Sequence, residues 1–153
     1  MRFLELKVPP PLVALLVGVA MWGLARFPHH WEMDLVARYL LSAVFVAIGL
    51  IFAASGFIGF RKAKTTIDPM HPGKTSSLVT SGIYRYTRNP MYVGLWFLLL
   101  AWAFFLQSPW AFLGTLLFVV WVNYLQIIPE ERILSKMFGE AYTQYQSRVR
   151  RWL

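Results

Sequence analysis

The chain has 153 residues, of which 58% are hydrophobic, 17% aromatic and only 14% charged. Soluble domains are usually about half apolar and about a quarter charged, so the composition predicts one integral membrane domain over residues 1–153. The net charge of +8 is clustered and favours anionic lipid headgroups over nucleic acid as partners, and the lack of cysteine excludes disulfides and thiolate metal sites.

The first two predicted spans are apolar helices at residues 11–27 and 35–60. Pro9-Pro10-Pro11 opens the first span, because proline suits the first turn of a helix. Basic residues precede this span without a small-residue cleavage site, which favours a retained helix over a signal peptide. The second span is long enough to cross a bilayer with tilt. Its small residues suit close helix packing: Gly49, Ala53, Ala54, Gly56 and Gly59.

The second half of the chain begins with residues 61–90, the one long polar segment. Loops of this length are usually functional or disordered, and the turn residues after Leu78 indicate order. Residues 91–106 and 110–128 are the third and fourth predicted spans. From residue 130 to 150, apolar residues recur at helical spacing beside basic ones, which predicts an amphipathic helix on the membrane surface.

These elements predict an all-α integral membrane protein with four transmembrane helices and a C-terminal amphipathic interfacial helix. Six of the 15 basic residues lie between residues 61 and 90, and five follow residue 129. By the positive-inside rule, this bias predicts that both termini and the loop 61–90 are cytoplasmic. The expected location is a bacterial-type inner membrane.

Two polar stations flank the apolar hairpin of residues 91–128. The first is Arg88-Asn89-Pro90, where asparagine is a good N-cap and proline a good first helical residue. Arg88 is expected to extend toward lipid phosphates. Helix capping alone therefore accounts for this station without any function.

The second station is Pro129-Glu130-Glu131. Proline is expected to end or kink the fourth span, which would put both carboxylates in the first turn of the next helix, where the macrodipole favours them. Carboxylates at a membrane boundary are costly unless they are paired, hydrated or used, and the sequence assigns them no obvious basic partner. The two stations lie at the two feet of one hairpin, so we expect them to converge on a polar cofactor beside a lipid-soluble substrate.

Four sequence elements appear in order over about the C-terminal half of the chain. Residues 76–94 contain the first two elements and read Ser-Ser-Leu-Val-Thr-Ser-Gly-Ile-Tyr-Arg-Tyr-Thr-Arg-Asn-Pro-Met-Tyr-Val-Gly. The third element, the Glu-Glu pair, follows after the hairpin. A last element consists of Phe138, Gly139, Tyr142 and Tyr145. Together they resemble the pattern of the isoprenylcysteine carboxyl methyltransferase family and of related phospholipid methyltransferases.

The resemblance implies S-adenosylmethionine as methyl donor at the cytoplasmic edge of the membrane. It also implies a lipophilic acceptor, either a prenylcysteine-like carboxylate or a lipid amine or thiol. Two positions depart from the family pattern: Asn89 stands where the family has a histidine, and Gln126 stands where the family has an arginine implicated in substrate binding. Gln126 is thus the candidate substrate-binding residue, and it weighs against a carboxylate acceptor. The cofactor-binding residues implied are Ser76, Ser77, Leu78, Val79, Tyr84, Asn89, Pro90, Met91, Tyr92 and Glu130.

The candidate catalytic residues are Glu130, Glu131 and Arg88, and no metal is expected. Glu130 is predicted to bind the ammonium or another polar group of the cofactor, with Asn89 and Tyr92 fixing its methionine portion. Alignment and exclusion of water are the main contributions that methyl transfer needs. A general base is needed only if the acceptor is an ammonium or a hydroxyl, for which Glu131 and His71 are the candidates.

Two other function classes fit parts of the sequence. A small four-helix transporter of lipophilic cations would also be short and aromatic-rich, but it needs an ionisable residue inside the membrane. The spans carry Asp, Glu, Lys and Arg only near their ends. A non-catalytic membrane scaffold is the third class, and its polar loop would tolerate substitution freely. The sequence leaves the acceptor and the oligomeric state open.

Overall fold

A computed structural model describes residues 5–29, 31–63 and 77–153 of the chain. Within these ranges the protein is helical, without strands, apart from an isolated parallel bridge between Thr87 and Arg150. A 3-10 helix (Gly82–Arg85) precedes α3, and a π-helical segment (Asn123–Ile127) joins α4 to α5. The α-helices are α1 (Pro10–Leu24), α2 (Leu35–Lys62), α3 (Pro90–Leu106), α4 (Ala111–Val122), α5 (Ile128–Phe138) and α6 (Glu140–Arg148).

Helix starts follow local capping chemistry. α2 begins after Asp34, whose Oδ2 accepts hydrogen bonds from the backbone N–H groups of Val36 and Ala37 at 3.0 and 3.2 Å. This arrangement satisfies two of the amides that a helix N-terminus leaves unpaired. Proline occupies the first turn of α1 and of α3, as the sequence predicts.

Pro129 does not end the fourth helix, so the first of the two predicted alternatives, an end or a kink, is wrong. α4 passes through the π-helical segment straight into α5, so one 28-residue helix runs from Ala111 to Phe138. An interior proline clashes with the carbonyl four residues earlier, and here that carbonyl belongs to Leu125, inside the π-helical segment. The freed Leu125 oxygen accepts a hydrogen bond from the Leu6 N–H at 3.0 Å. The wider turn and this outside donor together accommodate the proline.

The predicted interfacial helix of residues 130–150 is instead two helices, α5 and α6. The chain breaks at Gly139, whose φ of 52° and ψ of −127° suit a residue without a Cβ. The two glutamates lie inside a continuous helix, not at a free N-terminus. Macrodipole stabilisation is therefore not the reason for their position.

Two kinds of packing hold the helices together. α1, α3 and α4 share a buried core whose members include Val17, Met21, Leu99 and Phe118. α2 and α3 approach backbone to backbone: a Cβ on Gly94 would lie 2.7 Å from the Gly49 carbonyl oxygen. The predicted small-residue contact surface of α2 is confirmed at Gly49, Ala53, Gly56 and Gly59, whereas Ala54 is exposed.

The outward faces of the helices are apolar. α2, at 28 residues, and the continuous helix from Ala111 to Phe138 are long and apolar enough to cross a membrane, while α1 and α3 are apolar but shorter. The all-helical prediction is therefore confirmed for the described residues, together with two candidate spans. Large exposed hydrophobic side chains cover these faces, among them Leu15, Leu16, Val19, Leu40, Val44, Ile51, Leu113, Leu116 and Leu117.

Candidate active site

The two stations lie close together, as the sequence predicts. Tyr92, two residues after the first station, bonds Glu130 of the second station. Tyr92 lies in the first turn of α3, and its hydroxyl donates to Glu130 Oε1 at 2.6 Å. Gln126, one turn before Glu130, donates its Nε2 to the same oxygen at 2.6 Å. The Gln126 side chain is completely buried and Tyr92 is 6% exposed. We call these three residues the Glu130 cluster.

The Glu130 cluster has no guanidinium or ammonium bonded to its carboxylate within the part of the chain that the structure describes. Both donors to Oε1 are neutral, and Oε2 has no protein hydrogen bond there. A shielded carboxylate without a cation is costly, because neutral donors replace only part of its hydration. Such a group favours a positively charged ligand.

Glu131, the next residue, has the opposite environment. Arg88 bonds Glu131 Oε1 at 2.7 Å, and Arg151 bonds both carboxylate oxygens, with Nε at 3.1 Å and an Nη at 2.6 Å. The side chains of Arg88 and Glu131 are only 11% and 13% exposed. Donating these hydrogen bonds to Glu131 raises the pKa of Arg151 above its usual value. We call the three residues the Glu131 clamp.

Arg88 does not extend toward lipid phosphates, so that expectation is wrong. Besides Glu131, its guanidinium donates to the backbone carbonyls of Gln146 and Val149 at 3.0 and 2.6 Å. Glu131, but not Glu130, therefore has two basic partners, Arg88 and Arg151, which the sequence did not assign. A catalytic role for Arg88 or Glu131 stays a prediction.

Asn89 occupies the N-cap position of α3 without capping it through its side chain. Its backbone carbonyl accepts from the Tyr92 and Val93 amides, whereas its side-chain Nδ2 donates to the Arg151 carbonyl at 2.9 Å. The capping interpretation is thus correct for position and wrong for the side chain. The amide oxygen of Asn89 accepts no hydrogen bond from the residues that the structure describes.

The predicted residues Leu78, Val79 and Tyr84 belong to a separate hydrophobic cluster with Tyr142 and Tyr145. Burial raises the pKa of the Tyr84 hydroxyl well above its usual value. That hydroxyl donates to the Gly56 carbonyl at 3.4 Å, and Tyr145 donates to the Tyr84 carbonyl at 2.7 Å. The side chains of Val79 and Tyr84 therefore have structural contacts of their own.

A cavity of about 560 Å³ opens beside this second cluster, and Leu78 is the one predicted cofactor residue that lines it. Two arginines, Arg85 and Arg148, also line the cavity. Pro90 is buried at the start of α3, and the Met91 side chain packs on Gly56 of α2. The structure thus divides the predicted cofactor residues between two neighbouring places.

The remaining predicted residues lie next to or within the part of the loop that is not described. Ser77 donates its hydroxyl to the Ala63 carbonyl at 3.2 Å, which joins the two described residues on either side of the segment 64–76. Ser76 and His71 lie outside the described residues. No group of three or more His, Cys, Asp or Glu side chains suited to a metal occurs among the residues that are described.

Sequence reasoning missed the C-terminal residues of the site. Arg151 counts among the basic residues expected to face lipid headgroups, Trp152 carries no prediction, and no motif or periodicity distinguishes them. Trp152 donates its Nε1 to Asn123 Oδ1 at 3.2 Å, in the π-helical segment. The available signal was that three arginines and a tryptophan, Arg148, Arg150, Arg151 and Trp152, follow shortly after the Tyr142 and Tyr145 element.

Comparison with known proteins places these features in context. A family model for phospholipid methyltransferases matches residues 37–141. A protein-S-isoprenylcysteine O-methyltransferase of Schizosaccharomyces pombe is 34% identical over 128 residues, covering 81% of this chain and 53% of its own length. A methanethiol S-methyltransferase of Pseudomonas deceptionensis is 30% identical over 129 residues, covering 78% of this chain and 47% of its own.

A third relative is an uncharacterized protein of Haemophilus influenzae, 43% identical over 63 residues, which are 41% of this chain and all of that protein. The chain spans about half the length of the two methyltransferases that it resembles. No solved structure shows a significant match. The family match covers α3, the glutamate pair and the start of α6.

Proposed function

Because the chain belongs to the phospholipid methyltransferase family, we propose that it is an S-adenosylmethionine-dependent methyltransferase acting on a lipophilic acceptor. When bound, S-adenosylmethionine supplies an electrophilic methyl group on a positively charged sulfonium, next to an ammonium. The observation that carries the proposal is the Glu130 cluster, in which a shielded carboxylate is held by two neutral donors. The charge of this cluster fits the donor.

In the proposed site, Glu130 binds the positively charged part of the donor. Tyr92 and Gln126 both hold Oε1, which orients the carboxylate and leaves Oε2 for the ligand. The Asn89 amide oxygen is proposed as a second acceptor for the donor. Holding a donor in one orientation is the main way to accelerate a displacement whose reagent is already reactive.

The backbone near Leu78 is proposed to contact the remainder of the donor. The cavity of about 560 Å³ supports this role, since Leu78 and Thr80, in the segment that leads into the 3-10 helix, line it. Val79 and Tyr84 would take part through their backbone, because their side chains are buried in the second hydrophobic cluster. Ser76 and Ser77 are proposed to extend this surface.

We propose that α1, α2, α3 and the helix beginning at Ala111 are four transmembrane spans with both termini in the cytoplasm. The exposed apolar faces of α1, α2 and α4 support this arrangement, since large unpaired apolar surfaces are unusual in soluble monomers. The basic clusters support a cytoplasmic site in a bacterial-type inner membrane. Membrane lipids would then surround the spans, and the acceptor would enter from the bilayer.

The acceptor classes follow from the relatives. Their names describe transfer to isoprenylcysteine oxygen in one protein and to methanethiol sulfur in the other. For this chain we propose a prenylcysteine-like carboxylate, or a lipid amine or thiol, with buried Gln126 near the acceptor. A transporter of lipophilic cations is not favoured, because the carboxylates lie beyond the apolar stretch of the fourth helix and not in its middle.

Transfer of a radiolabelled methyl group tests the proposal. Purified protein would be incubated with labelled S-adenosylmethionine and an extract of membrane lipids and prenyl thiols, and the products would be separated. We expect label in a lipophilic product with the wild-type protein, and at least a tenfold loss with Glu130→Gln. Glu140→Gln is the matched control, because Glu140 is exposed on α6 and outside the site. A wild-type protein that binds the donor but labels no acceptor would contradict the proposal.

A further inference from the structure

The five C-terminal residues, 149–153, lie across the site, and we call them the C-terminal strap. Their backbone is bonded to the first polar station: the Arg88 N–H donates to the Arg150 carbonyl at 2.9 Å. The Arg151 carbonyl accepts from Asn89 Nδ2 at 2.9 Å and from the Thr87 hydroxyl at 3.3 Å. The strap thus fixes the segment immediately before α3.

Side chains of the strap bond the other end of the hairpin, namely the π-helical segment and α5. Arg151 bonds both oxygens of Glu131, on α5, at 2.6 and 3.1 Å. Trp152 bonds Asn123 in the π-helical segment and packs against the core of α1, α3 and α4. Two consecutive residues therefore connect the start of α3 with the helix that carries Gln126 and Glu130.

Resting on the proposed function, we propose that Arg151 is a positioning residue that sets the distance between Asn89 and Glu130. Its backbone carbonyl holds Asn89, while its guanidinium holds Glu131, the residue next to Glu130 in the chain. The guanidinium presents donors in a planar fork, which fixes orientation as well as distance. No atom of Arg151 needs to touch the donor for this effect.

If the start of α3 or the start of α5 were displaced, Asn89 and Glu130, the two groups proposed to bind the donor, would move apart. Misplacement by about 1 Å far from the reacting atoms can reduce a rate by roughly 100-fold. The Glu131 clamp therefore has a role in catalysis through geometry. This assignment differs from a role for Glu131 as a general base.

The test compares Arg151→Gln with Arg150→Gln in the full-length protein. Arg150 is the neighbouring residue and carries the same charge. Its side chain is exposed and has no hydrogen bond or ion pair in the described structure. We expect Arg151→Gln to lower kcat roughly 10- to 100-fold with a smaller change in the KM for the acceptor. Arg151→Lys should restore part of kcat, since it keeps the charge without the fork. Arg150→Gln should match the wild type.

Hydrogen exchange at the Arg88 amide provides a readout that is independent of activity, because this N–H bonds the strap backbone. We expect faster exchange in Arg151→Gln than in Arg150→Gln. Unchanged kcat and unchanged exchange in Arg151→Gln would overturn the inference, as would a loss explained entirely by a smaller folded fraction. Failure of the wild-type protein to bind S-adenosylmethionine would overturn the proposed function, and faster exchange in that case would leave the strap as a structural brace only.

Discussion

Glu130 and Glu131 are neighbours in the chain and face opposite chemical environments. The Glu130 cluster holds one carboxylate oxygen with two neutral donors, whereas the Glu131 clamp surrounds its carboxylate with two guanidinium groups. The clamp pairs its carboxylate with cations, so removing the carboxylate would leave shielded charge without a partner. The carboxylate of the cluster has no bonded cation among the described residues, and a cationic ligand can supply one. Two identical side chains thus have separate roles because of their partners.

The largest expected difference between the two regions is in the free energy of unfolding, which Glu131→Gln should lower. Removing one partner from a buried ion pair leaves an uncompensated charge and costs about 3–5 kcal/mol when the pair is fully buried. Since the Arg88 side chain is 11% exposed and Arg151 35%, we expect a loss of about 2–3 kcal/mol in the free energy of unfolding. Chemical denaturation in detergent would measure it. A variant as stable as the wild type would remove the distinction between clamp and cluster.

A smaller effect, on ligand binding, is expected from Tyr92→Phe. The change removes one neutral donor from Glu130 Oε1 and leaves Gln126 in place. Loss of a hydrogen bond to a charged group costs about 1.5–3 kcal/mol, part of which a ligand or water would recover. We expect affinity for S-adenosylmethionine to fall about tenfold by calorimetry. Tyr124→Phe is the matched control, because Tyr124 is exposed and outside the site.

The smallest effect is expected from Asn89→Ala. This change removes the bond from Nδ2 to the Arg151 carbonyl but keeps the ion pairs of the clamp. A single neutral hydrogen bond contributes about 1 kcal/mol, so the unfolding free energy should fall by about that amount. Donor affinity should fall as well, since the amide oxygen is also lost. If donor affinity were unchanged while stability fell, Asn89 would only hold the C-terminal strap and would not bind the donor.

The sequence was sufficient to predict that the two stations converge. Residues at the two feet of one hairpin must lie at the same end of it, and Tyr92 and Glu130 are close for that reason. The order of the apolar segments likewise fixed the helical fold, with Pro90 and Pro10 marking helix starts correctly. These features depend on local chemistry and on connectivity, both of which the sequence contains.

Other features depend on contacts between distant parts of the chain. The helix continues past Pro129 because the π-helical segment frees the Leu125 carbonyl and the Leu6 amide pairs with it. No local rule at Pro129 predicts a partner more than a hundred residues away. Arg151 is a similar case, since its sequence neighbourhood resembles any basic tail and only the fold brings it to Glu131.

Calorimetric titration with S-adenosylmethionine of the wild-type protein and of Glu130→Gln, with denaturation of both, tests the division between the glutamates most directly. We predict that Glu130→Gln weakens binding by at least 10-fold and up to roughly 100-fold, since it removes a shielded charge, while the unfolding free energy does not fall. Equal donor affinity in the two proteins, or a loss of stability in Glu130→Gln as large as that in Glu131→Gln, would contradict the account.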